Sequence, residues 1–524
     1  MSDLLRSGRL ARLAAVPALL WLIVFLVVPV AVMIIRYVGV EDATRVLRRE
    51  TTWRVVWFSA WQATLSVVVT FLLAAPVTWL IGRHQFRGRR TLRAISTLGF
   101  LLPSVVVAAG FLAVLPTSLH YSMFAVVIAH SYFNLAVVVR VVGARLELVD
   151  QRLIDAAGTF GATPVRALGT VTWPLVRPAV ASAGVVIFLY CFTSFAVVRV
   201  LGGPSRNTLE SDIALRAFGI GDVGGATVLG ILQVTVILIV LAIARATGGR
   251  DSISSDSRTT LPPGLDGRHR PVVAVVCAAT VLFVVAPLTS VAWRSFRIGG
   301  TTSLAAWRSL FDAGLRDSLI VSARTALFAG LLGMVLATTV GMAVVRLGRV
   351  GRLIDLLTFV PLAVSPVMLG LGLVVTFDER WYDWRAAWWF VAVAHTLVAL
   401  PLAVRVLVPS WNAVPAGLHE AAAVLGAGES RRFLDVDLRF VRRAMVAGFG
   451  LVIAVSLGEF GAASLLSRSG AETVPVVVGR LLTRTGDLVR AQAFALSTVL
   501  VVVCIGALLL VESLLGRNAR AHGG

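Results

Sequence analysis

The chain has 524 residues, of which 58% are hydrophobic and only 14% charged. Soluble domains run at about half apolar and a quarter charged, so a soluble multidomain protein, a secreted enzyme and a disordered scaffold are all excluded in favour of a polytopic membrane protein. The net charge is +21, and all 48 basic residues are arginine. Without lysine the chain has no Walker A phosphate loop and no Schiff-base lysine. The arginines lie scattered between apolar runs, which points to anionic lipid headgroups and away from nucleic acid.

A helix needs about 20 apolar residues to cross a bilayer. Twelve stretches meet that length. The first six are 15–35, 55–82, 94–116, 122–143, 178–198 and 224–244. The next six are 271–293, 319–345, 353–377, 386–409, 444–466 and 490–512. The fold class expected is therefore an all-α polytopic membrane protein. Pro76, Pro103, Gly110, Pro361 and Pro366 fall within these stretches and are expected to be tolerated, since neighbouring helices re-satisfy freed backbone groups. Arg6, Arg9 and Arg12 precede the first stretch, which is long and lacks a small-residue cleavage site. It is read as an uncleaved span.

With the N-terminus inside and Arg140 and Arg405 counted at inner helix ends, 29 arginines fall inside and 18 outside, with Arg324 within a span. That excess predicts both termini in the cytoplasm. Cys191, Cys277 and Cys504 are isolated in apolar runs and form no ligand spacing. Residues 246–270 are rich in Ser, Thr, Gly and Pro, the composition of a linker. They divide the spans into two groups of six. The segments predicted are 1–54 with the first helix, 55–245 as a first transport domain, linker 246–270, 271–317 with the first helix of the second half, 318–513 as a second domain, and tail 514–524.

The halves are copies. Ser59 matches Ser322, Arg83 matches Arg346 and Pro103 matches Pro366 at an offset of 263. His130 matches His395, Arg140 matches Arg405, Phe195 matches Phe460 and Thr208 matches Thr473 at 265. Equal span numbers make these parallel repeats about an axis along the membrane normal.

Two inner loops share one spacing. The first reads Asp155-Ala156-Ala157-x3-Gly161-x9-Val171-x-Trp173-Pro174, and the second Glu420-Ala421-Ala422-x3-Gly426-x9-Val436-x-Leu438-Arg439. The carboxylate is expected to open a short helix, where the dipole favours it, and the glycine to end it. This pattern resembles the EAA-x3-G-x9-I-x-L-P loop of type I ABC importer permeases. Asp155, Ala156, Ala157, Gly161 and Pro174 match it in the first copy, and Glu420, Ala421, Ala422, Gly426 and Leu438 in the second. Asp155 in place of Glu, and Arg439 in place of proline, depart from it. The resemblance implies a pair of coupling helices that seat in two copies of an ABC ATPase subunit. It also implies a solute-binding protein outside and a bacterial cytoplasmic membrane location. ATP and Mg would act on the partner, with no cofactor, metal or catalytic residue on this chain.

Some members of that family fuse both halves. The text Ala129-His130-x2-Phe133-Asn134, Phe192-x-Ser194-Phe195, Leu201-Gly202-Gly203-Pro204 and Thr208-Leu209-Glu210 is similar to thiamine (thiamine pyrophosphate) importer permeases. Ser456-Leu457-Gly458-Glu459-Phe460-Gly461-Ala462 is similar to both thiamine and ferric-iron permeases. An ion-coupled secondary transporter is the alternative from another class. It requires no matched loops and would need paired acids deep in the spans. Glu459, Phe195 and Phe460 are the candidate translocation-path residues. Glu459 is charged within a span and so marks function by default. Its expected role is either to attract a cation or to pair with an arginine such as Arg324. His130 and His395 are read as packing residues, Arg140 and Arg405 as snorkelling side chains, and Trp381, Tyr382, Trp384, Trp388 and Trp389 as an interfacial belt.

Overall fold

A computed structural model describes residues 2–203, 206–247, 270–379, 382–468 and 470–520. Linker residues 248–269, Pro204, Trp381 and the last four residues of the tail lie outside them. Ten described helices are long and apolar enough to cross a membrane, and two bent helix pairs raise the number to twelve. The chain is a multi-pass membrane protein.

The chain opens with α1 (Ser2–Leu22), which passes through a π-helical turn into α2 (Val28–Tyr37) and the short α3 (Val40–Leu47). The first repeat follows as α4 (Glu50–Arg83), α5 (Arg89–Leu101), α6 (Ser104–Val114) and α7 (Met123–Glu147). It continues through α8 (Gln151–Thr159), α9 (Pro164–Ala167), α10 (Trp173–Phe192), α11 (Ala196–Leu201), α12 (Leu209–Ala214) and α13 (Val223–Thr247). Beyond the linker come α14 (Arg270–Arg294), a two-residue hairpin of β1 (Arg297–Ile298) and β2 (Thr301–Thr302), and α15 (Ala305–Arg308). The second repeat is α16 (Ala313–Arg346), α17 (Gly348–Ala363), α18 (Pro366–Phe377), the hairpin β3 (Asp378–Glu379) and β4 (Tyr382–Asp383), and α19 (Trp388–Asn412). It ends with α20 (Ala416–Val424), α21 (Glu429–Arg432), α22 (Leu438–Gly458), α23 (Gly461–Leu466), α24 (Val474–Leu482) and α25 (Asp487–Arg520).

The order of helices repeats element by element, down to a π-helical turn before α10 (Leu168–Thr172) and before α22 (Phe433–Asp437). Matched residues do matched work. The Ser59 hydroxyl accepts the Leu209 amide at 2.8 Å, and the Ser322 hydroxyl accepts the Val474 amide at 2.7 Å. Each serine thus takes up an amide at the start of α12 or α24 that no turn of its own helix could satisfy.

Four of the expected continuous spans are broken. Stretch 94–116 bends by 102° between α5 and α6, and stretch 353–377 by 99° between α17 and α18. Each break falls at an X-Pro step, Leu102-Pro103 or Ser365-Pro366. Proline pushes its predecessor out of the helical region, and Leu102 accordingly has ψ 144°. Pro76 and Pro361, by contrast, stay inside helices as expected. Stretch 178–198 stops at Phe192 and restarts at Ala196, and stretch 444–466 stops at Gly458 and restarts at Gly461.

The first helices do not stay with their own halves. α1 packs along α16 and α2 along α18, while α14 packs against α5 and α6. Two glycines make the crossings possible. A Cβ on Gly110 would stand 2.9 Å from Cβ of Pro287, and one on Gly372 would stand 3.0 Å from Met33 Sδ and 3.2 Å from Cβ of Pro29. Each half thus supplies a proline-bearing helix that lies over a glycine on the other half's broken span. Segments 1–54 and 271–317 are therefore clasps between the halves.

Gly110→Leu and Gly372→Leu should each lower stability by about 1–3 kcal/mol through overpacking, read as a fall in the thermal midpoint of the purified protein in detergent. Gly314→Leu, where nothing lies within 4 Å of the added Cβ, should leave the midpoint in place.

Candidate functional site

All four helix breaks converge on one cavity of about 420 Å³ between the halves. Leu102, Pro103 and Ser104 come from the first break, Thr193, Ser194 and Phe195 from the second, Val364, Ser365 and Pro366 from the third, and Gly458, Glu459 and Phe460 from the fourth. Irregular backbone at membrane depth is tolerated where it lines a cavity or is buried in protein. The three candidate path residues, Phe195, Phe460 and Glu459, all line it.

Phe195 and Phe460 occupy equivalent repeat positions, each directly before a short helix. Their rings stack on one another, centroids 5.4 Å apart and planes 29° apart. The two halves therefore touch through their own matched residue on the pseudo-two-fold axis. Two apolar rings meeting face to face in a cavity wall can separate without leaving an unpaired polar group, which is what a gate requires.

Glu459 is buried. Its carboxylate accepts the amides of Ala462 at 2.9 Å and Ala463 at 2.8 Å, and Nε2 of His395 lies 3.3 Å away. It thus caps α23, whose first amides would otherwise be orphaned. The expected partner Arg324 is elsewhere: its guanidinium sits 4.7 Å from the ring centroid of Trp388. The histidines are also more than packing. His130 Nδ1 meets the Ser66 hydroxyl at 3.2 Å, and His395 Nδ1 meets the Ser456 hydroxyl at 2.7 Å. Glu210, which the sequence alone does not mark as a cavity residue, lines the same cavity and takes a 2.7 Å hydrogen bond from Gln233. Two carboxylates thus face the cavity. Among the described residues, no arginine lines it.

At one end of the spans stand the paired short helices α8 and α20. Gly161 (φ +80°) and Gly426 (φ +77°) terminate them as the spacing predicts. In each, the residue after the glycine donates back five positions, Ala162 to the Ala157 carbonyl and Ala427 to the Ala422 carbonyl, both at 2.9 Å. This is the Schellman closure that glycine allows. The acidic residues differ from expectation. Asp155 and Glu420 stand in mid-helix, and Asp150 caps α8 instead, through the Arg152 amide at 3.0 Å. Both helices present apolar side chains outward. Phe160 is 91% exposed, Val424 88% and Leu425 86%. Pro174 sits in the first turn of α10, and Leu438, matched to Trp173, opens α22.

Arg83 and Arg346, visible in the sequence only as a matched pair, bind these loops to the spans. Arg83 donates to the Val149 carbonyl at 2.7 Å and to Gln151 of α8. Arg346 pairs with buried Asp437 at the start of α22, and His419 of α20 stands 3.2 Å from the same carboxylate. Each arginine ends the first long helix of its repeat.

Comparison with known proteins agrees with this architecture. The family described as binding-protein-dependent transport system inner membrane component matches residues 74–248 and 329–518. The chain belongs to this family. The two matches fall on the two repeats, so the fused form expected from the sequence holds, and the ion-coupled secondary transporter is set aside. Among similar proteins, the thiamine transport system permease protein ThiP of Brucella abortus (strain 2308) is 26% identical over 485 residues, 88% of this chain and 87% of its own length. ThiP of Escherichia coli (strain K12) is 25% identical over 502 residues, 92% of each chain. ThiP of Salmonella typhimurium is 26% identical over 495 residues, 89% of this chain and 90% of its own.

Removing one partner of a buried pair strands the other charge, at about 3–5 kcal/mol. Arg346→Ala should therefore destabilise the protein by about that amount, measured as a thermal midpoint. The Arg346→Ala, Asp437→Asn double variant should recover part of the loss.

Proposed function

We propose that this chain is the membrane subunit of a thiamine importer, carrying a small organic cation between its halves. The observation that carries the reading is the acidic lining of the cavity: two carboxyl groups, Glu210 and Glu459, and no arginine among the described residues, in a protein of net charge +21. Low-dielectric walls focus the field of such carboxylates on a passing cation. Thiamine is a permanent cation with two planar rings. Names borne by relatives matched along most of the chain point to the same solute. Ferric iron, the same-architecture alternative, would gain less from the aromatic side chains that line much of the cavity.

This geometry supports a transport cycle of alternating access. The end bearing α8 and α20 faces the cytoplasm, as the arginine excess requires, and both termini lie on that side. A solute-binding protein releases its cargo on the other side. The exposed apolar residues Phe160, Val424 and Leu425 dock in two copies of an ABC ATPase, which carry ATP and Mg. When the ATPases close, α8 and α20 move together. Arg83 and Arg346 transmit that motion to α4 and α16, and the halves rock about the cavity. Phe195 and Phe460 part, and the cation passes. The chain itself performs no chemistry. It supplies a path whose two ends are exposed alternately.

The test is ATP hydrolysis by the purified complex in lipid, with thiamine-loaded and iron-loaded binding proteins added separately. Stimulation by the thiamine-loaded protein alone is expected, and stimulation by the iron-loaded protein alone would replace the solute assigned here. Gly426→Pro forces φ to about −65° at a residue that needs +77°. It should reduce uptake at least tenfold without changing the amount of folded protein in the membrane, and so should Glu420→Arg. Unchanged uptake and ATPase association in both variants would refute the coupling role of these loops.

A further inference from the structure

The two walls of the cavity have diverged, and only one of them is built to hold an aromatic ring. On the first-half wall, Phe100, Phe133 and Tyr190 form a mutual cluster, with centroids 5.2 Å apart for Phe100–Phe133, 5.8 Å for Phe100–Tyr190 and 6.3 Å for Phe133–Tyr190. All three line the cavity. At the matching positions of the second half stand Ala363, Val398 and Val455. The aromatic surface is therefore confined to one side, whereas Phe195 and Phe460 keep the symmetry.

The polar groups have diverged in the same sense. Asn134 and His130 lie one helical turn apart on α7, both line the cavity, and both are fully enclosed by the protein. The Asn134 amide nitrogen is committed to the His130 carbonyl at 2.9 Å and to Cys191 Sγ at 3.4 Å. That fixes the amide, and its oxygen Oδ1 has no partner. Ser66 gives its only proton to the Gln62 carbonyl at 2.7 Å, so in the neutral His130 ring Nδ1 donates to Ser66 and Nε2 keeps a lone pair. Nε2 likewise has no partner. In the second half the position of Asn134 is Ala399, and His395 Nε2 faces the Glu459 carboxylate at 3.3 Å, Glu459 itself standing where the first half has Ser194.

We infer that the first-half wall is the substrate-selecting surface. A planar ring lies against Phe100, Phe133 and Tyr190, and an exocyclic amine on that ring donates to Asn134 Oδ1 and His130 Nε2. Two buried acceptors left open cost free energy unless a ligand brings donors to them. A flat ring bearing an amine satisfies both and gains by stacking on the aromatic faces as well. Glu459, on the facing half, supplies the opposite charge. This assignment rests on the organic-cation reading above, and identifies which end of the solute is read and by which half. The aminopyrimidine of thiamine has the required amine. The pseudo-symmetric wall opposite offers a smooth aliphatic surface past which the ring can slide when the halves rock.

The experiment uses the full complex with its ATPase in nanodiscs, without binding protein, titrated by equilibrium dialysis with thiamine and with 4-aminopyridinium, a bare planar cation carrying an amine. The chain as it stands should bind both. Asn134→Ala and Phe133→Val, each of which installs the second-half residue, should weaken both by about tenfold, the loss of roughly one hydrogen bond or one stacking face. Desamino-thiamine, which loses the donors to both Asn134 and His130, should bind the unaltered chain at least as weakly as thiamine binds Asn134→Ala, and Asn134→Ala should weaken desamino-thiamine no further. Additive losses would place the amine elsewhere and overturn the inference, as would affinities indifferent to both substitutions or no binding of either probe. Binding of 4-aminopyridinium that depends on Asn134, with none of thiamine, would keep this wall and discard thiamine as the solute. Co-purification of the ATPase with both variants controls for folding.

Discussion

A backbone amide or carbonyl cannot be left open inside a bilayer, and this constraint organises the protein. The chain breaks four of its membrane helices at mid-depth and must then find partners for the freed groups. It does so by bringing all four breaks to one place and capping what remains there. Glu459 takes the first amides of α23, and the Ser365 hydroxyl takes the Met368 amide in the first turn of α18. The cavity is thus a consequence of where the helices stop. Its polarity comes from the same residues that make stopping possible, so the groups that stabilise the fold also present charge to a passing solute.

The repeat explains which parts of the molecule must agree and which are free to differ. Elements that transmit motion in the proposed cycle agree: the short helices with their glycine ends, the arginines at the ends of α4 and α16, and the stacked phenylalanines. Each acts only if both halves act alike. Elements that touch cargo have no such obligation, because a solute lacking two-fold symmetry cannot present the same groups to both walls. Asn134 against Ala399, Glu459 against Ser194 and Glu210 against Pro475 are departures of this kind.

Much of this was legible in the sequence, and the illegible part has a physical reason. Composition and span length identified the membrane class, because burial in lipid demands apolar side chains whatever the tertiary contacts. The offset of 263–265 showed the repeat, and the glycine spacing showed where α8 and α20 end, since positive φ is a local requirement. The helix breaks are not legible because proline alone does not decide whether a helix bends or breaks. Pro76 and Pro361 remain within helices while Pro103 and Pro366 end them. The outcome depends on what waits to receive the backbone, which is a property of the assembled halves. Asp155 and Glu420 were placed at helix starts for a similar reason. The dipole argument is sound, but Asp150 already occupied that role in the first loop.

The crossing of the first helices was invisible in the sequence, and it bears most directly on how the halves can move. Hydrophobic pattern marks α1 and α14 as spans without saying which half they join. Each lies on the other half, over a glycine that brings the backbones close. Two halves held only by the stacked Phe195 and Phe460 would separate under the force of an ATPase. Two halves that each hold a helix of the other can rock without parting, because apolar surfaces slide against one another more readily than hydrogen-bonded ones break. The clasp lets the contact at the axis remain weak, and a weak contact is what the gate proposed at Phe195 and Phe460 needs.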